Sequence, residues 1–499
     1  MGRSAEGRKA GILHKRFTAS LAVLALLSSC GGGGGGAGGD GGGGAPPIVA
    51  PPAPPPPPPA GNACSLSARK DWALGKLNEW YLFPELLAAN VNPDSFATVQ
   101  DYVDALVAPA RAQNKDRYFT YVTSLAADNS YFTGGASAGL GARYSIDTAA
   151  RRLFISEAFE NAPALAAAID RGTEILAIGT AAADLKTVDS IILAEGSAGI
   201  SAALGPNTAG TARLLRVRDT NGTIREVTVA KAEITVSPVS SRYGAKIIDD
   251  GGKKVGYLNL RTFIDTADPQ LRDAFAQFKG QGVNEMIVDF RYNAGGQLAI
   301  ADLMSNLLLG QRTPAEVMNF RVFRPSKSSL NKAINFAPQP QSIASMKIAF
   351  IATASAGSAS EVVMNSVIPY LGAKTALIGA NTYGKPVGQA VFDLAQCDDR
   401  MRMIAFVTQN SEKQGDYFNG IASKFQATCS APDDLTRQLG DPQENMVKVA
   451  LDFLAGRPCG APISGGGGIT AQSAGKASAP QPVAPPAPDT VQREMPGFF

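Results

Sequence analysis

Imidazole is almost missing from this chain. The single histidine among 499 residues is His14, and it lies in a leading segment that reads as removable. Without imidazole, Ser-His-Asp and Cys-His nucleophile systems are excluded, as is a zinc site built on histidine. No Cys-x-x-Cys pair occurs among the five cysteines, which argues against thiolate metal sites and dithiol exchange. The expectation is therefore no metal and no cofactor. Charge of one sign is also scarce. The formal net charge is +3, and Arg3, Arg8, Lys9, Lys15 and Arg16 against Glu6 account for it. The remainder is near neutral and has no electrostatic footprint for nucleic acid. The apolar run Leu21 to Leu27 is too short to cross a bilayer and fits the apolar stretch of a secretory signal, placing a signal peptide at 1–29.

What is abundant is local. The chain holds 53 glycines and 33 prolines, concentrated in residues 31–44, residues 46–59 and the stretch after about Ser464. Such tracts bury too little apolar surface to offset chain entropy. Residues 30–62 read as a Gly/Pro tether and 461–499 as a disordered tail. Leu27-Ser28-Ser29-Cys30 resembles a bacterial lipobox, which implies lipidation at Cys30. The expectation is an exported protein held by its lipid anchor in the cell envelope. The absence of Asp after Cys30 favours, by analogy, the periplasmic face of the outer membrane. The four other cysteines, Cys64, Cys397, Cys429 and Cys459, suggest two disulfides with three possible connectivities in an oxidising compartment. Cys397 and Cys429 flank a segment with strand character, Met403 to Thr408. That favours their pairing and leaves Cys64 to Cys459.

Three ordered regions follow. Residues 63–125 show helical spacing at Trp72, Leu74, Leu77 and Trp80, and again at Phe96, Val99, Tyr102, Val103 and Leu106. Residues 137–232 read as a β-rich unit. Its strands are expected near Leu140–Ile146, Arg152–Ser156 and Thr173–Gly179. A helix is expected over Asn161–Arg171 with Pro163 early in it, and a hairpin turns at Asp219–Gly222. Residues 233–460 alternate apolar strands and amphipathic helices, the rhythm of a layered α/β domain with helices packed on a sheet.

Three segments of that last domain carry chemical signals. Asp289-Phe290-Arg291-Tyr292-Asn293-Ala294-Gly295-Gly296 runs from a strand into a Gly-Gly turn, which can aim unpaired N–H groups at a developing oxyanion. Ser358-Ala359-Ser360-Glu361 opens a helix. Ser358 there is either an exposed hydroxyl in a positive dipole field or a plain N-cap with Glu361 completing a capping box. Thr382-Tyr383-Gly384-Lys385 follows an apolar strand, and a desolvated lysine can serve as a general base near neutral pH.

Together these segments resemble the carboxy-terminal processing (tail-specific) serine protease family over roughly residues 70–410. The resemblance implies a crotonase/ClpP-like layered core, a PDZ domain and a small helical N-terminal domain. It makes Ser358 the nucleophile, Lys385 the base and Gln389 the group that orients the lysine. Ala359 and either Gly295 or Gly296 become the oxyanion donors. It also implies protein or peptide substrates, cleaved in extended C-terminal regions. Gly139-Leu140-Gly141-Ala142 is similar to the loop that binds a peptide carboxylate in that family, with the peptide added as a strand. The interval from Ser358 to Lys385 is slightly longer than the family's, and Pro386 replaces its usual glycine. A non-catalytic peptide-binding scaffold and an acyl-CoA enzyme on the same core are the competing readings. Ser329-Leu-Asn-Lys332 and Ser67-Ala-Arg-Lys70 both match Ser-x-x-Lys, but no Lys-Thr-Gly accompanies them.

Overall fold

Strands buried on both faces must be apolar throughout, and the core strands here are. In a computed structural model describing residues 63–464 and 480–499, a six-stranded sheet runs in the order Ala245–Asp250, Lys253–Asn259, Glu285–Asp289, Lys347–Ala352, Thr375–Gly379, Ala427–Ser430. Only the first pair is antiparallel. Side chains alternate between faces. Met286, Val288, Ile348, Phe350 and Leu377 pack with helices Ala267–Gly280, Leu298–Leu308 and Ala359–Leu371. Ile287, Ala349, Ile351, Ala376 and Ile378 pack with helix Asn445–Leu454. Each such fully buried aliphatic or aromatic side chain contributes roughly 1.5–3 kcal/mol, so the sheet is a rigid platform. This is the layered α/β core that the strand–helix rhythm predicts.

The register places the site. Asp289 lies opposite Ile351, and Ala352 opposite Gly379. The loops leaving these three strands therefore emerge side by side at the carboxyl edge, where open parallel sheets hold their ligands. They are the three loops that the sequence marks out.

A second sheet carries Asp399–Asn410 between Tyr121–Ser124 and Val317–Phe323, with Val387–Leu394 paired to it as a hairpin. Helices Leu66–Trp80 and Val99–Leu106 begin at side-chain caps, Ser65 and Thr98. Leu77, Tyr102, Val103 and Leu106 share one apolar cluster with Val387, Met401, Met403 and Ile404. The helical region is thus docked on the strands of the second sheet, and its last segment, Tyr121–Ser124, joins that sheet.

The β-rich unit has strands Ala142–Asp147, Arg152–Ala158, Glu174–Gly179, Ala212–Arg218 and Ile224–Ala230, close to the expected positions. Its helices differ. The helix expected over 161–171 is a single turn, Pro163–Ala166, ended by Ala168 at φ 57°. A longer helical stretch, Val188–Leu204, broken by a kink at Gly196 (φ 63°), has no counterpart in the sequence expectation.

Two further expectations are corrected. The disulfides are Cys64–Cys397 and Cys429–Cys459, with Cα separations of 5.4 and 5.7 Å. The strand between Cys397 and Cys429 belongs to the second sheet, whereas Cys429 lies on the edge strand of the first. Flanking that strand in sequence therefore brings the two cysteines no closer in space. Cys397 sits at the hairpin turn that Arg69 of the first helix reaches through Asp399. Cys429 shares its cluster with Cys459 and helix Asn445–Leu454. Non-reducing peptide mapping should recover these two pairs, and a Cys397–Cys429 peptide would contradict the fold. Loss of Cys429–Cys459 should cost about 3.5 kcal/mol on a chain-entropy estimate.

The second correction is the tail, read as disordered over 461–499. Residues 480–499 are folded against the β-rich unit and helix Leu125–Gly134. Gln481–Pro482 pairs with Ser145–Ile146, and Asp489 caps a short helix, Thr490–Glu494. Val483, Val491, Met495, Phe498 and Phe499 are buried. Low-complexity composition hid these apolar anchors. The signal peptide, Cys30 and the tether to residue 62 lie outside the described residues.

Candidate active site

Ser358 heads helix Ala359–Leu371 at φ 53°, ψ −117°. An ordinary N-cap has extended backbone, and a left-handed conformation in a residue with a Cβ costs on the order of 1–3 kcal/mol. Surrounding bonds hold it there. Gly357 N–H donates to the Asn293 carbonyl (3.1 Å), and the Ser360 hydroxyl donates to the same oxygen (3.0 Å). Ser360 is fully buried by that bond, while Ser358 is half-buried. The structure thereby separates the two serines of the motif.

Asn293 also shapes the Gly-Gly turn. Its amide donates to the Leu260 carbonyl (2.8 Å), and its side-chain oxygen accepts the Gly295 N–H (2.9 Å). The Gly295 donor is therefore occupied. The N–H groups of Gly296 and Ala359 have no acceptor among the described residues, which makes them the pair suited to an oxyanion. Gly295 has to be glycine. It stands at φ 123°, and a Cβ there would lie 2.7 Å from the Ser358 Cβ and 3.1 Å from its Oγ.

Glu361 links the serine to the lysine. Its buried carboxylate accepts the Ser358 N–H (2.9 Å) and the Lys385 N–H (2.7 Å) on one oxygen. The other oxygen accepts the Gly384 N–H (2.7 Å) and the Thr382 hydroxyl (2.5 Å). The backbones of Ser358 and Lys385 thus converge on a single oxygen atom. The sequence reading gave Glu361 only a capping role. Its position three residues after Ser358 was the available signal. Arg117 was missed outright. It donates to the carbonyls of Gly384 (2.9 Å) and Phe418 (3.1 Å), and also to Tyr383, holding the lysine loop from the far side. Nothing in its local sequence marks it.

The Lys385 ammonium lies 5.2 Å from the centre of the Phe119 ring. Burial pushes its pKa below the ordinary lysine value, opposed by the nearby Glu494 carboxylate. Gln389 lies at a bulge in strand Val387–Leu394 and donates to the Phe119 carbonyl (2.5 Å), not to the lysine. It reaches Lys385 only through Phe119. Lys385, Gly357 and Tyr383 line a cavity of about 560 Å³.

The loop Gly139–Ala142 is buried, with Gly141 at φ 70°. The N–H groups of Gly141 and Ala142 donate to the Phe499 main-chain oxygen (3.1 and 3.4 Å), and the Phe499 N–H donates back to Ala142 (3.1 Å). The loop expected to bind a peptide is thus bonded by an extended segment of the same chain, with Phe498 in an isolated bridge to Arg143. From the next residue, buried Arg143 reaches Glu157 (2.9 Å) and the Tyr292 carbonyl (3.0 Å), joining this loop to the segment that leads into the Gly-Gly turn.

A serine at a helix start, a buried lysine and two N–H groups without an acceptor among the described residues sit at one edge of an α/β core. Residues 254–422 match the family model of peptidase family S41. The chain is similar to the carboxyl-terminal-processing protease of Picosynechococcus, 26% identical over 52% of this chain. It is also similar to carboxyl-terminal-processing peptidase 3 of Arabidopsis thaliana, 25% identical over 62% of this chain. The alignments span 58% and 57% of those two proteins. Among solved structures, a protein assigned to the S41 proteases from Bacteroides fragilis shares the fold. Its TM-score is 0.59 and its identity 23%, over 77% of this chain and 97% of that one.

Glu361→Gln should separate positioning from chemistry. One oxygen would replace two, leaving buried donors unpaired, and stability should fall by roughly 1–3 kcal/mol. The lysine and serine loops would part slightly, so kcat for peptide cleavage should drop about a hundredfold with KM nearly unchanged. An unchanged kcat in a folded variant would remove Glu361 from the site.

Proposed function

We propose that the protein is a serine endopeptidase working through a Ser358–Lys385 dyad. The observation that carries this is the convergence of the Ser358 and Lys385 backbones on one Glu361 oxygen, beside the two unpaired N–H groups. Ser358 Oγ attacks the substrate carbonyl carbon, and neutral Lys385 takes the hydroxyl proton. The Ala359 and Gly296 N–H groups receive the oxyanion. The C–N bond then breaks as the lysine ammonium protonates the departing amine. Water, deprotonated by the same lysine, hydrolyses the acyl-enzyme and frees Ser358.

The β-rich unit, by this reading, is a PDZ-type domain. Its strand Ala142–Asp147 takes an extended peptide at its edge and the Gly139–Ala142 loop takes the peptide's carboxylate. Unfolded C-terminal regions of exported proteins are the substrates, because only an extended chain adds to a strand edge. The signal segment, Cys30 and the tether support export and lipid anchoring in the cell envelope. Incubation with a permanently unfolded protein should give products with new C-termini while folded proteins stay intact. Absence of any cleavage by the folded chain would favour the binding scaffold.

A further inference from the structure

Residues 481–499 occupy two places at once. Along strand Ala142–Asp147 they supply a paired edge. Tyr144 N–H donates to Gly497 (2.8 Å), Val483 N–H to Tyr144 (3.0 Å), and Phe499 meets Gly141 and Ala142 as described. At the active-site cavity they form the wall facing Lys385, Gly357 and Tyr383, through 481–488, 492–494, 496 and 497. A substrate that adds to this edge and reaches Lys385 would need both positions.

The seating is specific. Phe498 stacks on Phe159 at 5.7 Å, and Phe499 meets Tyr144 edge-on at 5.9 Å. Both aromatic rings are essentially excluded from solvent, at 0% and 1% exposure. Gly139 allows the approach, since a Cβ there would lie 2.9 Å from the Phe499 carbonyl carbon. Arg143 donates to both Tyr292 and Pro496 (3.2 Å), so one side chain touches the segment and the stretch leading to the Gly-Gly turn.

We propose that residues 481–499 are an intramolecular ligand of the strand-edge groove that also closes the mouth of the active-site cavity. The segment must leave before a peptide can enter. Its competitors are extended peptides that carry paired aromatic residues. This rests on the peptidase reading for its consequence, but the binding claim stands apart from it. A ligand tethered to its own chain acts at millimolar effective concentration, so a free peptide of ordinary affinity meets a groove that is mostly filled.

The test uses a fluorescent synthetic peptide of residues 488–499 and the full chain carrying Ser358→Ala, so that binding is read without turnover. Adding Phe498→Ser and Phe499→Ser to the chain should empty the groove and tighten peptide binding by about tenfold. The same two changes in the chain with intact Ser358 should raise kcat/KM on an unfolded substrate by a similar factor, mainly through KM. Equal peptide affinity with and without the changes overturns the proposal. Tight binding with no cleavage by any folded form refutes the peptidase reading and leaves the ligand assignment standing. Should the double variant fail to fold, hydrogen exchange on the unaltered chain gives the answer. Excess peptide should speed exchange across 481–499, and unchanged exchange overturns the proposal.

Discussion

Ser358→Ala should abolish cleavage of an unfolded substrate, lowering kcat by roughly 10⁴-fold or more, as for other activated serine nucleophiles. The fold should survive, because the half-buried hydroxyl has no structural role comparable to that of Ser360. Its melting temperature should move little. Ser360→Ala makes the opposite prediction. Removing a fully buried hydroxyl that bonds Asn293 should cost roughly 1 kcal/mol of stability and leave most of the activity. If Ser360→Ala is the inactive variant and Ser358→Ala the active one, the assignment of the nucleophile is wrong.

Lys385→Ala should be about as damaging, since nucleophile and base act as one unit. Lys385→Arg should fail too, although it keeps the charge. A guanidinium does not release its proton in this range, and a base must accept one. The depressed lysine pKa gives the sign of the pH dependence. Below it the amine is charged and cannot take the serine proton. As pH rises through it the neutral fraction grows and kcat/KM rises with it. Burial causes the depression and Glu494 opposes it. A rate that falls as pH rises through neutrality, or an active Lys385→Arg enzyme, would remove the lysine from the role of base.

The position of the candidate site was legible because its signals are local. Met286 to Phe290, Met346 to Ala352 and Thr375 to Ile378 read as apolar strands, and a marked loop follows each. The parallel order of those strands then brings the loops together. What escaped depended on distant partners. The bonds that the Gly384 and Lys385 N–H groups donate to Glu361 bridge the rest of helix Ala359–Leu371, a turn and strand Thr375–Gly379. Arg117 lies far along the chain from the carbonyls it holds. Cys429 seemed paired with Cys397 because sequence flanking carries no information about which sheet a strand joins. The choice between Gly295 and Gly296 as donor turned on the Asn293 side chain, whose oxygen takes one amide and leaves the other. The tail was misread for a different reason. Val483 stands in a Pro/Ala run and Val491, Met495, Phe498 and Phe499 are spread over a short polar and Pro/Gly stretch, so the segment's composition masks anchors that two separate apolar clusters bury.

In the proposed dyad, Ser358 is a nucleophile made reactive by Lys385. A serine-reactive fluorophosphonate tests it directly, because it reports reactivity without needing the natural substrate. After labelling and proteolysis, mass spectrometry should place the adduct on Ser358 in the wild type. The Lys385→Arg chain, with Ser358 still present, should label at least about a hundredfold more slowly. An adduct on another residue, or equal labelling of the two chains, would contradict the dyad.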